Sequence, residues 1–116
     1  MSYKRIFAAS FSLLVSFSVA FAHAQLESAS PAVGSTVGKA PTQVSLSFTQ
    51  RLEPSYSSIE VRGPGGRVDQ GKASVSGVHM TVGIKALTPG TYHVHWRALS
   101  VDTHKTEGSF SFTVGK

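Results

Sequence analysis

The stretch TYHVHWRA, residues 91–98, indicates the class of fold. Its side chains alternate along the chain, the apolar set being Tyr92, Val94, Trp96 and Ala98 and the polar set His93, His95 and Arg97. A period of two is typical of a β-strand that buries one face and exposes the other. We therefore predict a strand whose large aromatic side chains lie in a core and whose histidines lie on the opposite, exposed face.

The same alternation recurs in four other segments of the sequence. They are QVSLSFT (43–49), SSIEVRG (57–63), VHMTVGI (78–84) and SFSFTV (109–114). Clusters of glycine and proline at 63–66 and 87–90 predict turns, and residues 30–41 predict a long loop after a short first strand near Leu26. Because no window shows a helical stripe, we predict an all-β fold of six or seven short strands, either a sandwich or a Greek-key barrel.

The first 22 residues have the features of a secretion signal. Lys4 and Arg5 precede the uncharged, largely apolar run IFAASFSLLVSFSVAFA, which ends in small residues. A membrane anchor is the alternative, but this serine-rich run is marginal against the roughly 20 strongly apolar residues of a span. Cleavage would follow Ala22 or Ala24, since both positions satisfy the small-residue rule, and only the first cut keeps His23.

Cleavage after Ala22 leaves residues 23–116, enough for one compact domain with a modest core. The whole chain has a formal net charge of +5, and removal of Lys4 and Arg5 would leave +3. Because the remaining basic residues are scattered, we expect no nucleic-acid surface. The absence of cysteine excludes disulfides, thiolate zinc sites, blue-copper sites and iron–sulfur clusters. A metal would have to be held by nitrogen, oxygen or thioether donors.

Five histidines in so small a chain raise the question of a metal site. His93 and His95 share one face of their strand and could together chelate a metal. Two imidazoles alone make a weak site, and Arg97 follows on the same face, so we predict an ordinary exposed polar surface there. His79 alternates with apolar residues and is predicted to face solvent as well.

The segment SVDTHKT, residues 100–106, places Asp102 and His104 two residues apart directly after the Trp96 strand. On spacing alone, an Asx-turn in which Asp102 caps its own loop is the simpler interpretation. Cleavage after Ala22 would add the α-amine and ring nitrogen of His23. Together with Asp102 and His104 these make four donors of the kind that Cu(II) prefers. Such a site would exist only in the processed chain.

Three segments together resemble the CopC family of bacterial periplasmic copper-binding proteins. They are HAQLESASPAVGSTVGKAP (23–41), VSLSFTQRLEPSYSSIEV (44–61) and LTPGTYHVHWRALSVDTHKTEGSFSFTV (87–114). The resemblance implies an immunoglobulin-like or cupredoxin-like Greek-key fold of about seven strands, in a mature chain that begins at His23. It also implies one Cu(II) ion per chain, held by the amine and imidazole of His23 with Asp102 and His104.

Two departures from the family pattern concern the metal. Some members carry a second, Cu(I) site in a methionine-rich loop with a histidine, whereas residues 62–77 contain neither residue type. Met80, the only methionine left after processing, lies in a predicted strand as a core residue, so we predict a single Cu(II) site. Gln50 stands where members commonly have a glutamate near the copper, and a neutral amide would tune the site differently.

The resemblance implies a monomeric periplasmic protein of copper resistance or homeostasis, which sequesters Cu(II) or passes it to an inner-membrane partner of the CopD type. Its activity would be binding rather than catalysis. One alternative is a copper-dependent oxidative enzyme with a histidine-brace site, which we rank lower because Asp102 would fill a coordination position that oxygen needs. Another is a metal-free immunoglobulin-like adhesion or assembly module, which would tolerate loss of His23 or Asp102.

Overall fold

A computed structural model describes residues 24–116, so the predicted signal sequence, residues 1–22, and His23 lie outside the described residues. The described chain forms nine β-strands and a short 3-10 helix at Pro54–Tyr56. The strands are β1 (Leu26–Ser30), β2 (Thr36–Val37), β3 (Gln43–Phe48), β4 (Ser58–Gly63), β5 (Gly66–Arg67), β6 (Asp69–Ser76), β7 (His79–Ile84), β8 (Gly90–Leu99) and β9 (Lys105–Val114). Across residues 24–116 we find no helix with the length and apolar character needed to span a membrane.

The strands form two sheets that pack face to face as a β-sandwich. One sheet has the strand order β1-β3-β7-β6, and the other has the order β2-β9-β8-β4-β5. The pairings are antiparallel except for the short parallel pairing of β2 with β9. β8 and β9 form a long hairpin, which is paired from Leu99↔Lys105 at its closed end to Gly90↔Val114 at its open end. The all-β sandwich predicted from the sequence is confirmed.

All six strands that the sequence pattern identifies are present, as β1, β3, β4, β7, β8 and β9. β6 is a seventh strand of comparable length, and its sequence, DQGKASVS, contains too few apolar residues to show the alternation. The two-residue strands β2 and β5 complete the set, and β2 lies inside the segment predicted as a long loop. Tertiary pairing, rather than local pattern, therefore makes these three segments into strands.

The core lies between the sheets and consists of the inward side chains of the alternating segments. Trp96 packs edge-on against Phe48, with ring centroids 5.0 Å apart and ring planes at 72°. Tyr92 stacks on Phe112 with centroids 5.6 Å apart. Met80 is fully buried in the same cluster. The core positions predicted for Trp96, Tyr92 and Met80 are confirmed.

The carboxylate of Asp69 links the two sheets at one edge. Asp69, the first residue of β6, has a side chain that is only 3% exposed. Its Oδ1 accepts a hydrogen bond from the main-chain N–H of Val61 on β4 at 2.9 Å, and Arg67 on β5 donates to both carboxylate oxygens at 2.6 and 3.1 Å. Burial opposes ionisation of Asp69, but the hydrogen bonds and charge of Arg67 and the Val61 N–H outweigh it and lower the pKa of Asp69.

Candidate metal centre

Residues 100–104 form a tight loop that closes the β8–β9 hairpin. The main-chain N–H of Ser100 donates to the carbonyl oxygen of His104 at 3.0 Å, and the N–H of Thr103 donates to the carbonyl oxygen of Ser100 at 2.8 Å. Thr103 has a φ of 72°, in the left-handed region that β-branched residues rarely adopt. This backbone turn places residues 102 and 104 at the tip of the hairpin.

Ser100 connects the two candidate ligands from beneath the loop. Its side chain is fully buried, and its hydroxyl donates a hydrogen bond to Oδ1 of Asp102. The same hydroxyl oxygen accepts a hydrogen bond from the main-chain N–H of His104 at 3.3 Å. A buried hydroxyl is normally hydrogen-bonded, and here its partners are the two residues that the sequence singles out. Ser100 therefore fixes Asp102 and the backbone of His104 relative to each other.

Asp102 and His104 lie side by side at the surface. Oδ1 of Asp102 is 3.3 Å from Nδ1 of His104, and the two side chains are 45% and 48% exposed. The Ser100 hydroxyl is the main cause that lowers the pKa of Asp102. Partial desolvation opposes this effect, and the ring and main-chain N–H of His104 add to it. The contact to the His104 N–H agrees with an Asx-type turn, so the loop both caps itself and presents an ionised carboxylate beside an accessible imidazole.

The first described residues lie next to this loop. The carbonyl oxygen of Ala24 accepts a hydrogen bond of 2.8 Å from the hydroxyl of Thr106, two residues after His104. Ala24 is fully buried, so its position is fixed by packing as well. His23, the third predicted metal ligand, precedes Ala24 in the chain and lies outside the described residues. Within residues 24–116, no group of three or more metal-binding side chains is found.

The segment around Gln50 contacts the loop of residues 100–104. The main-chain N–H of Val101 donates to the carbonyl oxygen of Arg51 at 3.0 Å, and Leu52 forms an isolated β-bridge with Ser100. Gln50 itself is half-buried. The residue that stands in place of the family's glutamate therefore belongs to the segment that packs against the loop.

The remaining described histidines lie on the strands β7 and β8 rather than in the loop. Nδ1 of His79 lies 2.9 Å from the hydroxyl of Ser47 on the outer face of the other sheet. His93 is exposed on β8, and half-buried His95 contacts Ser109 at 2.9 Å. The predicted exposed positions of His79 and His93 are confirmed, and His95 is only partly covered.

Arg97 continues this polar face of β8. Its Nε lies 3.3 Å from Oε1 of Glu107 on β9, and both side chains are more than half exposed. Surface pairs of this kind contribute little to stability.

Sequence reasoning missed the contributions of Ser100 and Thr106. Both residues are present in the quoted segment SVDTHKT, but their roles depend on contacts that a linear pattern does not show. Ser100 acts through burial beneath the loop, and Thr106 acts through a partner 82 residues away in the sequence. A hydroxyl residue two positions before the aspartate was the only available signal for Ser100.

Comparison with known proteins identifies the same family throughout the described domain. The family model for the CopC domain matches residues 26–115. Copper resistance protein C of Xanthomonas campestris pv. juglandis is 39% identical over 105 residues, which cover 82% of this chain and 82% of that protein. The crystal structure of CopC from Methylosinus trichosporium OB3b matches with a TM-score of 0.74 and 34% identity, covering 80% of this chain and 94% of that one.

A longer relative contains a similar region. Copper transport protein CutJ of Bacillus subtilis (strain 168) is 35% identical over 101 residues. These residues cover 83% of this chain but only 19% of CutJ. The similarity to CutJ is therefore confined to one domain-sized part of that protein.

Proposed function

The chain belongs to the CopC family, and from this premise we propose that it is a periplasmic copper-binding protein of copper resistance or homeostasis. The names of its relatives support this function, since they include a copper resistance protein and a copper transport protein. None of these names describes an enzyme. The proposed activity is accordingly the binding and release of copper, with the metal as cargo.

The proposed Cu(II) ligands are the α-amine and ring nitrogen of His23, a carboxylate oxygen of Asp102 and a ring nitrogen of His104. One observation carries this proposal: the Asp102–His104 pair lies beside Thr106, which holds Ala24, the residue after His23. Since consecutive Cα atoms are ~3.8 Å apart, a chain cut after Ala22 would begin one residue from this anchor. Nitrogen and oxygen donors in a tetragonal set suit Cu(II).

We propose Cu(II) rather than Cu(I) as the cargo, with one ion per chain. Cu(I) is selected by thiolate and thioether ligands. The chain has no cysteine, and Met80 is fully buried among core side chains. His79 contacts the hydroxyl of Ser47 and His95 that of Ser109, and residues 24–116 contain no group of three metal-binding side chains.

The proposed cargo site is open to a partner. Asp102 and His104 are each nearly half exposed, so a bound ion would be accessible for transfer. The similarity of one part of CutJ to this chain supports a link to copper transport. We therefore propose that a monomer either sequesters Cu(II) or delivers it to an inner-membrane transporter of the CopD type.

Native mass spectrometry of protein exported to the periplasm tests this function. The expected mass is that of a chain starting at His23, which takes up one tightly held Cu(II). Asp102→Asn and His104→Ala should each weaken uptake strongly because each removes a proposed donor. His93→Ala is the matched control, since His93 is exposed on the same hairpin and should leave uptake unchanged.

Three results would contradict different parts of this proposal. A chain that starts at Gln25 would lack two of the four proposed donors, and weak copper binding would then favour the metal-free module. Tight binding that survives both Asp102→Asn and His104→Ala would refute the ligand set. Oxygen consumption by the copper-loaded protein with ascorbate, at a rate above that of free copper, would instead support the enzyme.

A further inference from the structure

The chain segment at residues 24–25 is held by both sheets of the sandwich. Thr106, which holds the carbonyl oxygen of Ala24 at 2.8 Å, belongs to β9. Thr49, directly after β3, accepts a 3.0 Å hydrogen bond from the N–H of Gln25 on its hydroxyl. It also donates a 2.9 Å hydrogen bond from its own N–H to the carbonyl oxygen of Gln25. Because β3 and β9 lie in different sheets, this short segment is fixed from two sides.

Residues 24–25 begin the described part of the chain and are nevertheless fixed by specific contacts. The first residues of a domain are normally poorly ordered unless a specific contact fixes them. The pairing of β1 with β3 begins only at Leu26, so it does not reach Ala24. The Thr106 hydroxyl supplies the additional fixed point, and it does so on the strand that begins directly after the metal loop.

A metal site that uses the terminal amine needs such a fixed point. Ligands bind tightly when their supporting contacts hold them in place before the metal arrives. Asp102 and His104 already have this support from Ser100. An unanchored His23 would have to lose the conformational freedom of a chain end on binding, which weakens the affinity.

We infer that Thr106 is a positioning residue for copper binding: its hydroxyl holds Ala24 beside the Asp102–His104 pair, so that the amine and ring of His23 are presented to the metal. This inference rests on the proposed function. Thr106 acts through the Ala24 carbonyl and is not itself a ligand. A purely structural role for the same hydrogen bond would affect stability but not the affinity of the folded protein for copper.

The test compares three variants of the processed protein that begins at His23. Thr106→Val removes the hydroxyl and keeps the shape of the side chain, whereas Thr106→Ser keeps the hydroxyl. Thr91→Val is the matched control, because the Thr91 hydroxyl lies 3.3 Å from that of Thr113 near the open end of the same hairpin. Cu(II) affinity is measured by competition with a chelator, and the coordination by electron paramagnetic resonance. Hydrogen exchange of the N-terminal peptide is followed in the copper-free proteins.

We expect Thr106→Val to lose about 10–100-fold in Cu(II) affinity, as is typical when a group that orients a ligand is removed. Its paramagnetic resonance spectrum should change, and the amides of Gln25 and Leu26 should exchange faster without copper. Thr106→Ser and Thr91→Val should match the wild type in all three measurements. If Thr106→Val does not fold, Thr49→Val tests the same anchor from the other sheet, with the same expected losses.

Two results would overturn the inference. One is a folded Thr106→Val that binds Cu(II) with the affinity and spectrum of the wild type. The other is a Thr106→Val that unfolds more easily but keeps its affinity, which would make the hydrogen bond purely structural. Failure of the wild type to bind Cu(II) through His23 would instead refute the proposed function, so the two failures are distinguishable.

Discussion

Gly108 lies directly against the indole ring of Trp96. The two residues are paired across β9 and β8, so a side chain at position 108 would extend from the same face as the indole. A Cβ atom on Gly108 would come 2.6 Å from Cζ2 and 2.9 Å from Cε2 of Trp96. The indole in turn packs edge-on against Phe48, so it has little room to move.

We therefore expect Gly108→Ala to destabilise the protein by about 1–3 kcal/mol, the usual cost of overpacking a core. Gly38→Ala is the control, because a Cβ there would meet nothing within 4 Å and the backbone is not left-handed. Urea unfolding followed by the fluorescence of Trp96, the single tryptophan, measures both variants. Equal stability of the two variants would contradict the close contact.

Phe48 is the partner of Trp96 in the core and is 1% exposed. Phe48→Ala should lower the free energy of unfolding by about 3–5 kcal/mol, since it removes apolar contacts and leaves a cavity under the indole. Val33, which is 60% exposed, provides the comparison. Val33→Ala should change stability by no more than about 0.5 kcal/mol. A loss at Phe48 no larger than that at Val33 would contradict the assigned core.

Asp69 should make stability depend on pH in the acidic range. Because folding lowers its pKa below the ordinary value of 3.8, its contribution is present above that value and is lost as the pH falls through the folded pKa. Asp69→Asn should cost about 1–3 kcal/mol at neutral pH, since it removes the charged acceptor of the hydrogen bonds from Val61 and Arg67. It should also flatten the acid limb of the stability curve. An unchanged acid limb in thermal unfolding would contradict this assignment.

Much of this fold follows from side-chain alternation. Strands such as β8, with Trp96 inward and His95 outward, have an apolar face that only the sandwich core can bury. β6 could not be predicted from alternation because its residues are mostly polar, and it becomes a strand only through pairing with β7. The hydrogen bond from the main-chain N–H of Val61 to Asp69, which joins β4 and β6 of different sheets, is likewise a product of tertiary packing.

Only part of the candidate metal site can be predicted from the sequence. The Asp102–His104 pair is a local feature, and spacing alone places both residues in one loop. The support from Ser100 and Thr106 depends on burial and on a contact between the two ends of the domain. No linear pattern encodes that contact.

Copper affinity should fall steeply with decreasing pH. The amine of His23, with an ordinary pKa near ~8, binds a proton on the same lone pair as the metal. Below this pKa the affinity should drop about tenfold per pH unit, because one proton competes with the metal for the amine. Competition titrations across this range measure the slope. A flat profile, or one unaffected by acetylation of the amine, would contradict the proposed donors.

The outer face of β8 should contribute nothing to copper uptake. The double variant His93→Ala, His95→Ala should still bind one Cu(II) per chain, because His95 contacts Ser109 and Glu107 rather than a metal-binding group of three. Isothermal titration with Cu(II) gives the stoichiometry. A second equivalent in the wild type that disappears in the double variant would reveal a further site.

The hydrogen bond between Thr106 and Ala24 also has a consequence for the order of assembly. Asp102 and His104 are brought together by a local hairpin, which forms with little loss of chain entropy. The contact from Thr106 to Ala24 joins residues 82 apart, and it requires both sheets to be in place. Stopped-flow refolding should therefore show hairpin formation preceding full copper affinity, and simultaneous recovery of both would contradict this order. Within the proposed site, copper is therefore bound firmly only after the segments around residues 24 and 106 have come into contact.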